Sequence, residues 1–385
     1  MGKTMQFLIG VGGLLLLLLV LVDGFETMVL PRRVAHAFRI TRLFYRHSWP
    51  LWRFLSQRFP KGRRREGFLS VFGPLSLFGL LVAWVLGLIL GFAMLYWAWS
   101  EGINSPDPEP DFGTYLYMSG TTFFTLGYGD VTPRGNVGRA LAVVEAGGGF
   151  AFLALIIGYL PVLYQAFSRR EATISLLDAR AGSPPSAGQC LLRVARSGNQ
   201  RLIDSFLAEW ERWSAELLES HLSFPFLTYF RSQHDNQSWL ATLTFILDCS
   251  ALVIATGKGP ETAQARLTFA MARHAAVDLA LIFRTPPRAP TEDRLPLLKC
   301  HKMRGDLADA GLPIHVEPVV DAKLEELRAL YEPFVQALGD FFVFPLPVIW
   351  SDKQPVDNWQ TSAWTNRTPG LDELPPIDAD NHPLE

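Results

Sequence analysis

Residues 121–133 read Thr121-Thr-Phe-Phe-Thr-Leu-Gly-Tyr-Gly-Asp-Val-Thr-Pro133, and the reading of the whole chain turns on them. The stretch lies between two long apolar runs, Phe68 to Ser100 and Ala140 to Phe167. It is too short and too polar to cross a bilayer core of about 30 Å by itself. Backbone that is not helical is tolerated at membrane depth only where protein buries it or water lines it. The residues before it, 114–124, are predicted as a short re-entrant helix whose N-terminus Asp111 or Thr114 can cap. Gly127 and Gly129 stand where a chain that turns successive carbonyls to one side must take backbone angles that a Cβ disfavours.

The segment Thr125-Leu126-Gly127-Tyr128-Gly129 resembles the Thr-Val-Gly-Tyr-Gly filter of the potassium-channel family, with Leu126 in place of valine. The likeness extends over about 100 residues, through Pro133, Gly138 and Arg139 into the third apolar run. It departs from the family at Phe123 and Phe124, where small residues are usual. The resemblance implies potassium as permeant ion and no other cofactor. Backbone oxygens of Thr125, Leu126, Gly127 and Tyr128 would bind it, in a homotetramer that brings four loops together. Asp130 would sit at the outer mouth, where a carboxylate raises the local cation concentration. Leu126 and Tyr128 would point away from the axis and pack behind the strip.

The third run carries Glu145, Gly147, Gly148, Gly149 and Pro161. By alignment to the family motif, Gly149 falls at a hinge glycine. Three glycines and a proline within a helix are each points of bending or of close packing. An ionisable residue inside a span marks a functional site by default. Two roles are open for Glu145: a brace to the pore helix through Thr121 or Thr122, or a carboxylate facing the central cavity.

Outward from this centre, the first apolar run contains six consecutive leucines, Leu14 to Leu19, and is read as a spanning helix over 5–23. A cleaved secretory signal is the competing reading, although no small-residue cleavage pattern follows Asp23. Residues 31–66 form a basic, aromatic segment, free of acids up to Glu66. The positive-inside rule puts it in the cytoplasm, against anionic headgroups. The N-terminus is then outside. Tyr96, Trp97 and Trp99 read as an interfacial aromatic belt.

The chain has 385 residues, 49% hydrophobic and only 19% charged. Residues 1–165 carry a net charge of +5 and the remainder −7, a balance without the strongly basic domain that nucleic-acid binding requires. Cys190, Cys249 and Cys300 show no disulfide or metal-ligand spacing. Residues 168–188 read as a linker, 189–340 as a helical cytoplasmic regulatory domain with an unidentified ligand or partner, and 341–385 as an extended tail. Trp239 to Thr256 is apolar enough to span, but Asp248 at its centre favours a buried core helix. His221, His234 and His274 are isolated. Ser232 to Gln237 is a polar cluster, and Thr256 to Gly259 lacks the spacing of a phosphate loop. No catalytic constellation is present, so no enzyme is expected.

The fold class expected is therefore all-α: a membrane protein with a potassium-channel pore domain at 68–167 and a helical cytoplasmic domain. Within the pore domain, 68–100 is the outer helix, 114–124 the pore helix, 125–130 the filter and 138–167 the inner helix. The function expected is passive potassium transport across the plasma membrane. The alternative is a membrane-anchored sensor with a non-conducting pore.

Overall fold

Long apolar runs punctuated by Gly and Pro give helices almost throughout, and the protein is an all-α membrane protein. The computed structural model describes residues 2–29, 39–182, 185–196, 201–232, 237–257, 262–312 and 318–351. The chain divides into two compact units, one of residues 1–55 and 71–165, the other of 56–70 and 166–385.

The first unit contains α1 (Lys3–Met28), α2 (Ile40–Ser56) and most of α3 (Arg63–Trp99). Strand β1 (Ile103–Asn104), helix α4 (Phe112–Phe123) and strand β2 (Thr132–Pro133) follow, and then α5 (Gly135–Ser175), which continues into the second unit. Helix α1 runs past the expected 5–23. It lies tightly on α3, since a Cβ on Gly13 would stand 2.8 Å from the carbonyl oxygen of Gly91. Close approach of this kind lets helices associate by dispersion contacts where lipid offers no hydrophobic gain. Asp23 lies inside the helix, not at its end. It is buried, and it accepts hydrogen bonds from Trp84 Nε1 (2.9 Å), Thr41 N (3.0 Å) and Thr41 Oγ1 (2.7 Å). Helix α2 turns Tyr45, Trp49 and Trp52 onto Phe72 of α3 and leaves Leu51 and Phe54 exposed. Residues 30–38 of the basic segment lie outside the described residues.

The second unit is built on α9 (Trp239–Thr256). Its neighbours are α7 (Ala187–Arg196), α8 (Arg201–Ser223), α10 (Ala263–Ile282), α12 (Pro318–Ala329) and α13 (Glu332–Phe342). Helices α6 (Leu177–Ala181) and α11 (Leu297–Asp309) pack on α7, and a 3₁₀ turn, Pro225–Tyr229, packs on α8. Within the protein, 78% of the apolar window of α9 is buried, against 11% for α5, so α9 is a core helix of this unit. Asp248 is neutralised there by Arg294, accepts from Tyr331 Oη at 2.6 Å, and shares Arg294 with Glu332 at 3.2 Å. His221 is also buried, with Nδ1 2.7 Å from the carbonyl oxygen of Leu217 and Nε2 3.2 Å from Arg170 Nη1. Burial and the adjacent guanidinium hold its pKa well below the usual imidazole value.

Two expectations change here. Within the expected linker 168–188, the first part continues the inner helix, α5 running to Ser175 and α6 following at Leu177, but the described residues of 181–188 are not loose: Ala181, Ala187 and Gly188 are buried. The tail does not begin at 341. Helix α13 reaches Phe342, and Phe344, Ile349 and Trp350 are buried beyond it, Ile349 O accepting from Gly188 N at 2.9 Å. Helix α13 follows α12 closely, with Tyr331 at its N-cap position and Pro333 in its first turn, where a missing N–H costs nothing. His234, most of the polar cluster around it, Lys258, Gly259 and residues 352–385 lie outside the described residues.

Candidate ion pathway

Helix α4 starts where Asp111 accepts from Thr114 N at 3.0 Å, an N-cap that the sequence allowed to either residue. It ends in a tightening turn. Phe124 N donates to Gly120 O (3.1 Å), Thr125 N to Thr122 O (3.0 Å) and Leu126 N to Thr121 O (2.8 Å). These bonds occupy the last carbonyls of the helix and aim the chain into the strip Thr125–Gly129. The strip has positive φ at every second residue: 54° at Thr125, 59° at Gly127 and 78° at Gly129. For Thr125 this is an uncommon conformation, held by the turn that precedes it. Strict alternation of handedness reverses each peptide plane relative to a β-strand, which is how successive carbonyls come to share one side.

The strip is held at its outer end as well. Tyr117 Oη donates to Asp130 Oδ2 at 3.0 Å, which fixes the carboxylate next to Gly129. The segment that follows, β2, pairs antiparallel with β1, Ile103 opposite Pro133 and Asn104 opposite Thr132. Leu126 and Tyr128 were expected to pack behind the strip. Within one subunit they are 53% and 70% exposed, so this subunit alone gives them no cover.

Glu145 is wholly buried, and both of its oxygens are engaged by donors of the same chain: Tyr96 Oη at 2.7 Å and Ser119 Oγ at 2.5 Å. It therefore joins α5 to α3 and α4 and has no face on a cavity. The partners differ from those expected. Thr121 and Thr122 turn their hydroxyls back to Met118 O, at 3.0 and 2.8 Å, as threonines in helices commonly do. Ser119 and Tyr96 were missed. Ser119 lies one turn before Thr122 on the same helix face, and Tyr96 is a fully buried donor rather than part of an interfacial belt. Of the three glycines, Gly149 has a steric reason to be one: a Cβ there would stand 2.1 Å from the carbonyl oxygen of Phe123. At Gly147 and Gly148 a Cβ would meet nothing in the subunit, and α5 is continuous through all three and through Pro161.

The family model described as "Ion channel" matches residues 79–165. This segment belongs to an ion-channel family. The match takes in most of α3, the whole of α4 and the strip, and α5 as far as Gln165. The chain is similar to protein LctB of Bacillus caldotenax and to its namesake in Geobacillus stearothermophilus. Each is 39% identical over 20% of this chain and 64% of the relative. An uncharacterized membrane protein of Bacillus subtilis, YdjJ, is 27% identical over 50% of this chain and 58% of its own. The chain spans about three fifths of the length of the curated relatives it matches. No solved structure matches it.

Proposed function

We propose that the chain is one subunit of a homotetrameric channel that passes potassium selectively and passively across the plasma membrane. The observation that carries this reading is the alternation of φ along Thr125, Gly127 and Gly129 in a strip uncovered on its own subunit. Four such strips around an axis supply rings of oxygens at Thr125, Leu126, Gly127 and Tyr128 that replace the hydration shell of a cation. Exposed Leu126 and Tyr128 support the assembly, because apolar side chains of this size gain from cover by a neighbouring subunit. Asp130 concentrates cations at the outer mouth, and Glu145 braces the pore helix from behind.

Helices α1, α3 and α5 span the bilayer with the N-terminus outside. The cations of α2 and of residues 58–65 face anionic headgroups on the cytoplasmic side. The helical unit is cytoplasmic and biases opening through α5 in answer to a ligand or partner. Rubidium uptake into liposomes carrying the purified protein tests the proposal. Uptake that Gly127→Ala abolishes is the expected result, since a side chain at φ 59° strains the strip. Liposomes that take up no rubidium, or particles without fourfold symmetry, refute it.

A further inference from the structure

Two arginines of the second unit converge on one short segment. Arg170, near the end of α5, is buried, and its donors are all turned inward. Nη2 donates to Phe230 O at 2.8 Å, Nη1 donates to Leu227 O at 3.0 Å and lies 3.2 Å from His221 Nε2, and Nε pairs with Glu171 at 2.8 Å. Leu227 and Phe230 belong to the 3₁₀ turn and the residue that follows it. The next residue, Arg231, reaches the start of α3, where Nη1 donates to Glu66 Oε2 at 2.5 Å. Its Nη2 donates to Phe342 O (2.7 Å) and Val343 O (3.1 Å), and its guanidinium lies 4.3 Å from the centre of the Phe344 ring. The turn is anchored from behind by Trp239 Nε1, which donates to Thr228 O at 3.0 Å.

Residues 225–231 therefore hold the cytoplasmic end of the inner helix by backbone carbonyls and the cytoplasmic end of the outer helix by a charged side chain. Both helices are continuous from there into the pore segment. An element bonded to two helix ends and to the core helix α9 moves both ends together or neither. Resting on the conduction reading above, we propose that residues 225–231 are the strap through which the helical unit sets channel opening, with Arg170, Arg231 and Glu66 as its positioning residues.

Single-channel recording in planar bilayers tests this with Glu66→Lys, Arg170→Lys and the double variant. Glu66→Lys sets a cation against Arg231, while Arg170→Lys keeps the charge and loses the forked grip on two carbonyls. Each single variant is expected to shift the open-to-closed ratio by at least about fivefold, the lower end of ordinary coupling between sites. Unitary conductance and potassium-over-sodium selectivity should stay at wild-type values, a pattern that general destabilisation does not produce. Glu66 is held by the side chain of Arg231 and Arg170 by the carbonyls of Leu227 and Phe230, so the double variant should fall well short of the product of the single shifts if the strap joins them. Where Arg170→Lys does not fold, Glu66→Gln on the partly exposed partner carries the test, with a smaller shift in the same direction as Glu66→Lys. Folded variants with wild-type open probability, or a double variant equal to the product, overturn the strap alone. A silent wild type overturns the conduction reading and the strap with it.

Discussion

Glu145 gives the sharpest test, because its surroundings set a hydrogen inventory. Ser119 has one hydroxyl hydrogen and two acceptors in reach, Glu145 Oε1 at 2.5 Å and Ile89 O at 2.8 Å. Tyr96 Oη donates to the other carboxyl oxygen. In Glu145→Gln the amide oxygen accepts from Tyr96, and the amide nitrogen donates to Ser119 Oγ. Ser119 then gives its hydrogen to Ile89 O, and every group stays bonded. That substitution should cost about 1 kcal/mol or less, the scale of one modest change in hydrogen-bond strength. Glu145→Ala leaves the Tyr96 hydroxyl without its acceptor, at about 1–3 kcal/mol, lets Ser119 turn its hydrogen to Ile89 O, and opens a void besides. The loss should reach about 3–5 kcal/mol. Thermal unfolding of the purified protein in detergent, followed by rubidium flux, reads both effects. The expected ranking is wild type close to Gln and far above Ala, with flux lost in parallel with stability. If Gln is as damaging as Ala, or if Ala unfolds with the wild type, the three-helix brace is wrong.

Gly149→Ala places a methyl group 2.1 Å from Phe123 O and must push α5 off the end of α4; we expect loss of flux from protein that still inserts, while Gly147→Ala conducts. Arg294→Met strands Asp248 and should lower the unfolding free energy of the second unit by about 3–5 kcal/mol in chemical denaturation, the cost of leaving one charge of a buried pair alone. His221 stays neutral in the fold, so the unfolded state takes up a proton first; stability is full above the free imidazole pKa of about 6.5 and falls below it by at most about 1.4 kcal/mol per pH unit. His221→Gln should remove that one-proton acid slope from unfolding curves measured between about pH 4 and 7, and a slope unchanged by the substitution would show that His221 is not its source.

What the sequence disclosed was whatever is local. The Asp111 cap, the re-entrant helix and the glycine positions of the filter each depend on residues within a few places of one another. Pairings between helices depend on rotation about the axis, which composition does not report. Thus Thr121 or Thr122 was the partner to expect for Glu145, and Ser119, about one turn earlier, is the partner found. Small residues misled for a related reason. Residues 181–188 have the composition of a flexible connection, yet Gly188 is small because a Cβ there would stand 2.4 Å from the Trp350 ring. The ring comes from a stretch more than 160 residues away, whose burial no local pattern betrays. Tyr96 looked interfacial because it lies beside Trp97 and Trp99, and only its partner's position on another helix shows otherwise.

The first unit uses two buried carboxylates in the same manner, and this bears on why a membrane protein tolerates them. Asp23 of α1 accepts from Trp84 and Glu145 of α5 accepts from Tyr96, and both donors stand on α3. Twelve residues separate these donors, about 18 Å along the helix at 1.5 Å per residue. Apolar contacts between helices in lipid are broad and let one helix slide or turn against another at little cost. A carboxylate bonded to an indole N–H or a phenol O–H has no such freedom, since a shift of one residue leaves a buried acceptor without its donor. The two acids therefore fix rotation and register of α1 and α5 on a common spine, while the glycine contacts at Gly13 with Gly91 and at Gly149 with Phe123 set how closely the backbones approach. Backbone oxygens in the Thr125–Gly129 strip hold their places only with both kinds of constraint behind them, and Glu145 supplies the one nearer the strip by bonding α4 as well as the spine.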